Sequence, residues 1–213
     1  MCYTLLSMFE RCLDADYITV GEDASYAIQR DGETLFILFE HSRGEIDWKN
    51  NLDWKAEPYS DMQYEWYCHG GFLRVWKSVK DYIRREVKSY EDAKSIVIVG
   101  YSHGAALALL CHEYIWYNYS ELRESIYGFG FGCPRVICGK LSAEVLSRWK
   151  NFFVIRNGRD AVTHLPPSIF GFKHVGKIIK VGSSRMGAID AHRPENYIDS
   201  LRSDARCHYE FSL

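Results

Sequence analysis

One serine stands in a setting that suits nucleophilic chemistry. Ser102 lies in Gly100-Tyr101-Ser102-His103-Gly104, between the β-branched run Ile96-Val97-Ile98-Val99 and the small and aliphatic run from Ala105 to Leu110. A run that is apolar on both faces reads as a buried strand of a parallel sheet, and the second run reads as a helix. A serine at so sharp a strand-to-helix turn has strained backbone and an exposed Oγ, and flanking glycines let strand and helix approach without Cβ clashes. The backbone N–H of His103 falls at the helix N-terminus, facing charge that develops on a reacting oxygen. The competing reading is a tight turn whose serine only caps the helix.

A serine nucleophile needs a base, and the base needs an orienting acid. Asp160 follows a predicted strand, Phe152 to Arg156, and the turn Asn157-Gly158, where an acid is expected when the chain order is serine, acid, histidine. Four histidines come later: His164, His174, His192 and His208. His164 is too close to Asp160 in sequence to turn back on it, His174 lies in an extended segment, and His208 is near the chain end. His192 opens a loop before a short helix starting near Pro194, which suits a base brought over the sheet edge. The pattern alone leaves a helix-capping surface histidine as the alternative.

Composition bounds the rest. Apolar residues make up 47% of 213, enough for one domain spanning 1–213 with a sizeable core. The charge balance, 26 − 28 = −2, and the lack of a basic tract give no indication of nucleic acid. No run of about 18 apolar residues is present, so no transmembrane helix is expected. The start, Met1 to Arg11, reads as an amphipathic helix rather than a signal peptide, with secretion of a trimmed form as the alternative. Seven scattered cysteines without a C-x-x-C pair argue for a reducing, cytoplasmic setting and against zinc; no metal or cofactor is expected.

Strand signals at Ser25 to Arg30 and Thr34 to Phe39 flank the turn Asp31-Gly32, and the second is apolar throughout, hence central. A helix over roughly Gly70 to Tyr90 carries Phe72, Val75, Val79, Tyr82 and Ile83 on one face. Ile126 to Phe131 is a strand whose Gly128 and Gly130 suggest close approach of backbone or ligand. A helix from about Ser142 to Trp149 and two short extended pieces, Phe172 to Val175 and Lys177 to Val181, complete the reading. Strands alternating with helices predict an α/β fold with a mostly parallel sheet and helices on both faces, with its site at the carboxyl ends of the strands.

The chain resembles the fungal-type, or class three, lipases over nearly its whole length. Phe39-Glu40-His41-Ser42 followed by Asp47-Trp48, His69-Gly70-Gly71-Phe72, Gly100 to Ala105, Phe131-Gly132-Cys133-Pro134-Arg135-Val136, and the stretch Asn157 to Pro167 each match a family segment. The resemblance implies the α/β-hydrolase fold and a triad of Ser102, Asp160 and His192. It also implies an oxyanion hole made by Ser42 and the N–H of His103. Glu40 and His41 replace the family's arginine and glycine, and His103 replaces its leucine. A register that puts Glu45 in the oxyanion position is rejected, because a carboxylate repels an oxyanion. The family's lid corresponds to somewhere in Asp47 to Cys68, whose aromatic residues suit a water–lipid boundary; an aromatic loop packed on the domain is the alternative. The expectation is therefore a serine ester hydrolase acting on acylglycerols or simpler esters, with transient contact to a lipid interface. A phospholipase, or a binding module on a hydrolase scaffold, is the alternative.

Overall fold

The computed structural model describes residues 2–20, 24–40, 54–59, 66–90, 92–204 and 211–212. In chain order the strands and α-helices are β1 (Cys2–Tyr3), α1 (Leu5–Leu13), β2 (Ile18–Val20), β3 (Ala24–Asp31), β4 (Thr34–Phe39), β5 (Ala56–Pro58), β6 (Tyr67–His69), α2 (Gly70–Ser89), β7 (Ser95–Tyr101), α3 (His103–Asn118), β8 (Ile126–Phe131), β9 (Ile137–Cys138), α4 (Ala143–Ser147), β10 (Phe152–Asn157), β11 (Phe172–Lys173), β12 (Lys177–Val181), α5 (Pro194–Ser203) and β13 (Phe211–Ser212). The central sheet has the order β12-β10-β8-β7-β4-β3-β2. The pairings from β12 to β4 are parallel, and β3 and β2 add an antiparallel edge.

Period-two alternation in β7 decides the layering. Ile96 and Ile98 face the core beneath α2 and α3, whereas Val97, Val99 and Tyr101 face the core beneath α1 and α5. Every residue of β4 and β7 is buried, as expected for central strands covered on both faces. Helix α3 is buried continuously from Gly104 to Ile115, so no side of it faces water and it needs no polar stripe. On α2 the buried residues are Phe72, Leu73, Trp76, Val79, Ile83 and Val87. Tyr82, expected on that face, instead lies at the surface with its ring 6.5 Å from that of Tyr26, and Val75 is only half-buried. The reason is angular: an apolar stripe drawn through Trp76 and Leu73 leaves Tyr82 at its margin.

A second, four-stranded sheet, β11-β9-β6-β5, was not foreseen, because its strands are two or three residues long. It takes up the described part of the aromatic stretch between Asp47 and Cys68. Tyr59 and Trp66 stack at 4.2 Å, and both belong to the main core together with Cys68. These parts of the suspected lid are packed, and residues 47–53 and 60–65 lie outside the described residues. The glycines of β8 admit side chains rather than backbone or ligand: a Cβ on Gly128 would meet the Phe152 ring at 2.2 Å and His112 at 3.0 Å. Among the described residues no helix is long and apolar enough to cross a membrane.

The core also holds ionisable groups. Arg148 donates to Glu113, both fully buried, and its guanidinium lies 5.0 Å from the Tyr117 ring. His112, next to Glu113 on α3, packs edge-on against Phe152, and among the described residues neither ring nitrogen has a partner at hydrogen-bonding geometry. Burial pulls the His112 pKa down to about 3, with the Ile126 backbone offsetting part of that, and burial likewise pulls His174 to about 4. Between these values and the ordinary histidine value the unfolded chain binds protons that the native state refuses, so the stability these two histidines contribute is full above about pH 6.5 and falls as pH drops, while Glu113, whose carboxyl burial pushes up to about 7, works in the opposite sense. Acidifying from pH 7 to pH 5 is expected to cost about 2 kcal/mol through His112 alone. Urea unfolding at both pH values checks this: His112→Leu should lose less stability on acidification than the wild type, and an identical loss would exclude His112 as a cause.

Candidate active site

Ser102 follows β7 directly and caps α3. Its φ of 56° and ψ of −120° make it the only non-glycine residue with positive φ among the described residues. Such a conformation costs on the order of 1–3 kcal/mol and persists only where its surroundings impose it. Here they do. A Cβ on Gly100 would sit 2.2 Å from the Gly104 carbonyl oxygen, and one on Gly104 would sit 2.4 Å from that of Phe39, so strand and helix pack closer than side chains allow. The Ser102 N–H donates to Phe131 at 2.9 Å, and the Ser102 carbonyl accepts from Ala105. The Oγ is thereby turned away from the helix it would otherwise cap: Ser102 makes no side-chain capping bond.

That hydroxyl meets His192. Ser102 Oγ lies 2.9 Å from His192 Nε2, and His192 Nδ1 lies 2.9 Å from Asp160 Oδ2. Asp160 is fully buried and also accepts from the Tyr197 hydroxyl at 2.7 Å and from the Val162 N–H at 2.9 Å. A carboxylate on Nδ1 holds the imidazole in the tautomer whose Nε2 accepts a proton from Oγ, and it balances the imidazolium that results. Three donors on one buried carboxylate satisfy a charge that would otherwise be costly to bury.

The loops carrying Asp160 and His192 are joined through Asn157 at the end of β10. Its Nδ2 donates to the carbonyls of Ala191 and Asn196, its Oδ1 accepts from Ser200, and its N–H donates to the Tyr197 hydroxyl. Burial pushes the Tyr197 phenol pKa well up, so it remains a neutral donor to Asp160. Gly132, with φ +59°, passes close to both partners: a Cβ there would lie 2.9 Å from His192 Cε1 and 3.1 Å from Asp160 Oδ2. On its ring face His192 is stacked by Tyr101, with centroids 5.2 Å apart, and the Tyr101 hydroxyl donates to the His192 carbonyl.

Of the residues singled out from sequence, Ser102, Asp160 and His192 come together. His103 opens α3, so its N–H belongs to the first turn, whose N–H groups point out of the helix end, and its ring lies 5.5 Å from Phe72. His164 is exposed, and His174 bonds the Thr163 backbone instead of Asp160. Ser42, Glu45 and His208 lie outside the described residues. Sequence reading passed over Tyr101, Gly132, Asn157 and Tyr197. Tyr101, Gly132 and Asn157 stood in matched motifs without an assigned role, whereas nothing in a short amphipathic helix marks Tyr197 as reaching a buried carboxylate.

Comparison with known proteins agrees with this geometry. The family described as Lipase (class 3) matches residues 36–170, more than half of the chain. A lipase of Rhizomucor miehei is 30% identical over 150 residues, covering 68% of this chain and 41% of the relative. A secreted mono- and diacylglycerol lipase of Malassezia globosa is 31% identical over 160 residues, covering 70% and 49%. A solved triacylglycerol lipase, whose catalytic centre is reported to be formed by a serine protease triad, superposes with a TM-score of 0.67 at 25% identity, covering 78% of this chain and 64% of that one. The chain thus spans roughly half the length or less of the two relatives aligned by sequence. With the strained serine turn, the parallel sheet and the matched segments all in register, the chain has the α/β-hydrolase fold and belongs to the class 3 lipase family.

Proposed function

We propose that this chain is a serine ester hydrolase of the lipase type, and that Ser102, His192 and Asp160 are its triad. The observation that carries the reading is the hydrogen-bonded chain from Ser102 Oγ through His192 to Asp160, at a serine held in strained backbone. In the first half-reaction Oγ attacks the ester carbonyl while its proton passes to His192 Nε2. The carbonyl oxygen becomes an oxyanion. Collapse breaks the bond to the alcohol oxygen, which takes the proton from His192 and leaves. Water then attacks the acyl-enzyme with the same proton path, releasing the acid and restoring Ser102. The His103 N–H and Ser42 are the proposed oxyanion donors. Substrates are acylglycerols or simpler carboxylic esters.

Two further parts of the reading concern surroundings. Transient contact with a lipid surface is supported by three apolar side chains held in water: Ile169, Phe170 and Ile189 are 86%, 57% and 78% exposed. Ile169→Ser with Ile189→Ser should lower activity on an emulsified ester and leave a soluble ester unaffected; equal activity on both would remove the contact. A reducing compartment is supported by the free thiols of Cys12, Cys68, Cys111, Cys133 and Cys138, and a disulfide in the protein isolated from its source would overturn it.

Kinetics on one soluble ester test the triad. Ser102→Ala and His192→Ala should each leave only the residual of about 10³–10⁴-fold over the uncatalysed reaction, and Ser102→Ala should lose labelling by a fluorophosphonate probe. His164→Ala and His174→Ala should stay near wild type in turnover. Near-normal activity of Ser102→Ala would remove it as the nucleophile.

Ser42→Ala should lower kcat by about tenfold to several hundredfold, with KM little changed, because the oxyanion exists only in the transition state. Glu45→Ala should be mild. The reverse outcome would move the oxyanion hole to Arg43-Gly44-Glu45.

A further inference from the structure

We propose that Tyr101 is a positioning residue for His192: its hydroxyl fixes the backbone at 192, and its ring lays a π face against the imidazole that takes up the Ser102 proton. The inference rests on the triad reading above and extends it to a residue outside the proton path.

Four observations carry it. The Tyr101 hydroxyl donates to the His192 carbonyl, which ties the base-bearing loop to the end of β7, the strand that presents Ser102. Nucleophile and base are thus anchored at neighbouring residues, Ser102 itself and Tyr101 at the end of β7, and their separation does not depend on the His192 loop alone. The Tyr101 and His192 rings are stacked at 5.2 Å with 27° between planes, so the imidazole meets the negative face of the phenol ring rather than its edge. Tyr101 is itself immobilised, only 3% exposed, with edge contacts to Phe9 at 5.4 Å and Tyr197 at 5.9 Å. Finally, the His192 side chain is only 14% exposed, so water does little to solvate the imidazolium. Both ring nitrogens are already engaged, by Ser102 and Asp160, and the ring face is where further stabilisation can act.

Among the described residues, the other charged and titratable groups around His192 are contributed by positions that a substitution at 101 leaves untouched. They are Asp160 on Nδ1, the Tyr197 phenol on Asp160, the Asp190–Arg193 ion pair beside the ring's own backbone, and Glu195 on α5, which lies near enough to act on Tyr101. A change in His192 titration on substituting Tyr101 therefore reports the lost ring or hydroxyl.

Three substitutions separate the two roles. Tyr101→Phe keeps the face and removes the tether. Tyr101→Leu removes both. Tyr101→pentafluorophenylalanine keeps the ring shape and abolishes its negative face, which guards against a folding defect in the leucine variant. Titration of the His192 ring nitrogens by ¹⁵N NMR needs no turnover, and kcat and KM against pH on a soluble ester give the functional counterpart. In Tyr101→Phe the His192 midpoint should stay with the wild type, while kcat falls about three- to tenfold with KM unchanged as the base loses its anchor. In the leucine and fluorinated variants the midpoint should move down by about half a unit to one unit, and the acid limb of kcat should move with it. Equal midpoints in all four proteins would overturn the π-face role, and an unchanged kcat in Tyr101→Phe would overturn the tether. Absence of Ser102 labelling in the wild type would instead strike the hydrolase reading, and the NMR titration would still decide Tyr101.

Discussion

A β-carbon on Gly100 would stand 2.2 Å from a carbonyl oxygen of α3, and one on Gly104 would stand 2.4 Å from a carbonyl oxygen of β4. The missing side chains let the helix press against two adjacent central strands, and the turn between strand and helix has no room to relax. Ser102 is left with a backbone conformation it would not choose, held by the Ser102–Phe131 bond and by the packing of α3, every residue of which is buried from Gly104 to Ile115. The site depends on this contact because it directs Oγ out of the turn. Such strain survives only when a large core enforces it, and here the two faces of the sheet supply that core.

The second requirement is to bring two distant loops to that hydroxyl. Asp160 and His192 are separated by 32 residues, and neither is held by regular secondary structure alone. Asn157 joins their loops: one side chain bonds the backbone of both Ala191 and Asn196 and takes a bond from Ser200. Its N–H also orients the Tyr197 hydroxyl toward Asp160. A fully buried amide with all these bonds is stable only in one arrangement, because each unmade bond would leave a polar group orphaned in the core. The buried Asp160 charge follows the same logic, satisfied by His192, Tyr197 and the Val162 N–H together.

The interior is less uniform elsewhere. His112 sits neutral among apolar rings, and Glu113 beside it is paired with Arg148. Among the described residues, neither is hydrogen-bonded to Ser102, Asp160 or His192. Acid acts on the scaffold through these groups in opposite senses, against the native state at His112 and for it at Glu113, which is why stability and activity need to be measured separately as pH is varied.

The sequence by itself determined the local features. The β-branched run, the two glycines and the apolar helix placed Ser102 at its turn, because periodicity and backbone permissiveness act over a few residues. The order serine, aspartate, histidine, with the matched segments, narrowed the partners to Asp160 and His192. The tertiary structure supplied the contact itself: His192 lies against Asp160, whereas His174 bonds the Thr163 backbone and His164 is exposed, because that depends on where the chain returns over the sheet. It also decided the roles of Tyr101, Asn157 and Tyr197. An aromatic ring on a buried strand face or a tyrosine on a short helix reads as core, and its hydroxyl becomes a tether only when folding brings a distant acceptor within bonding distance. The short strands of the second sheet escaped notice for the same reason: two-residue pairings have no period to detect, and they exist because the segments that carry them are brought side by side by everything else.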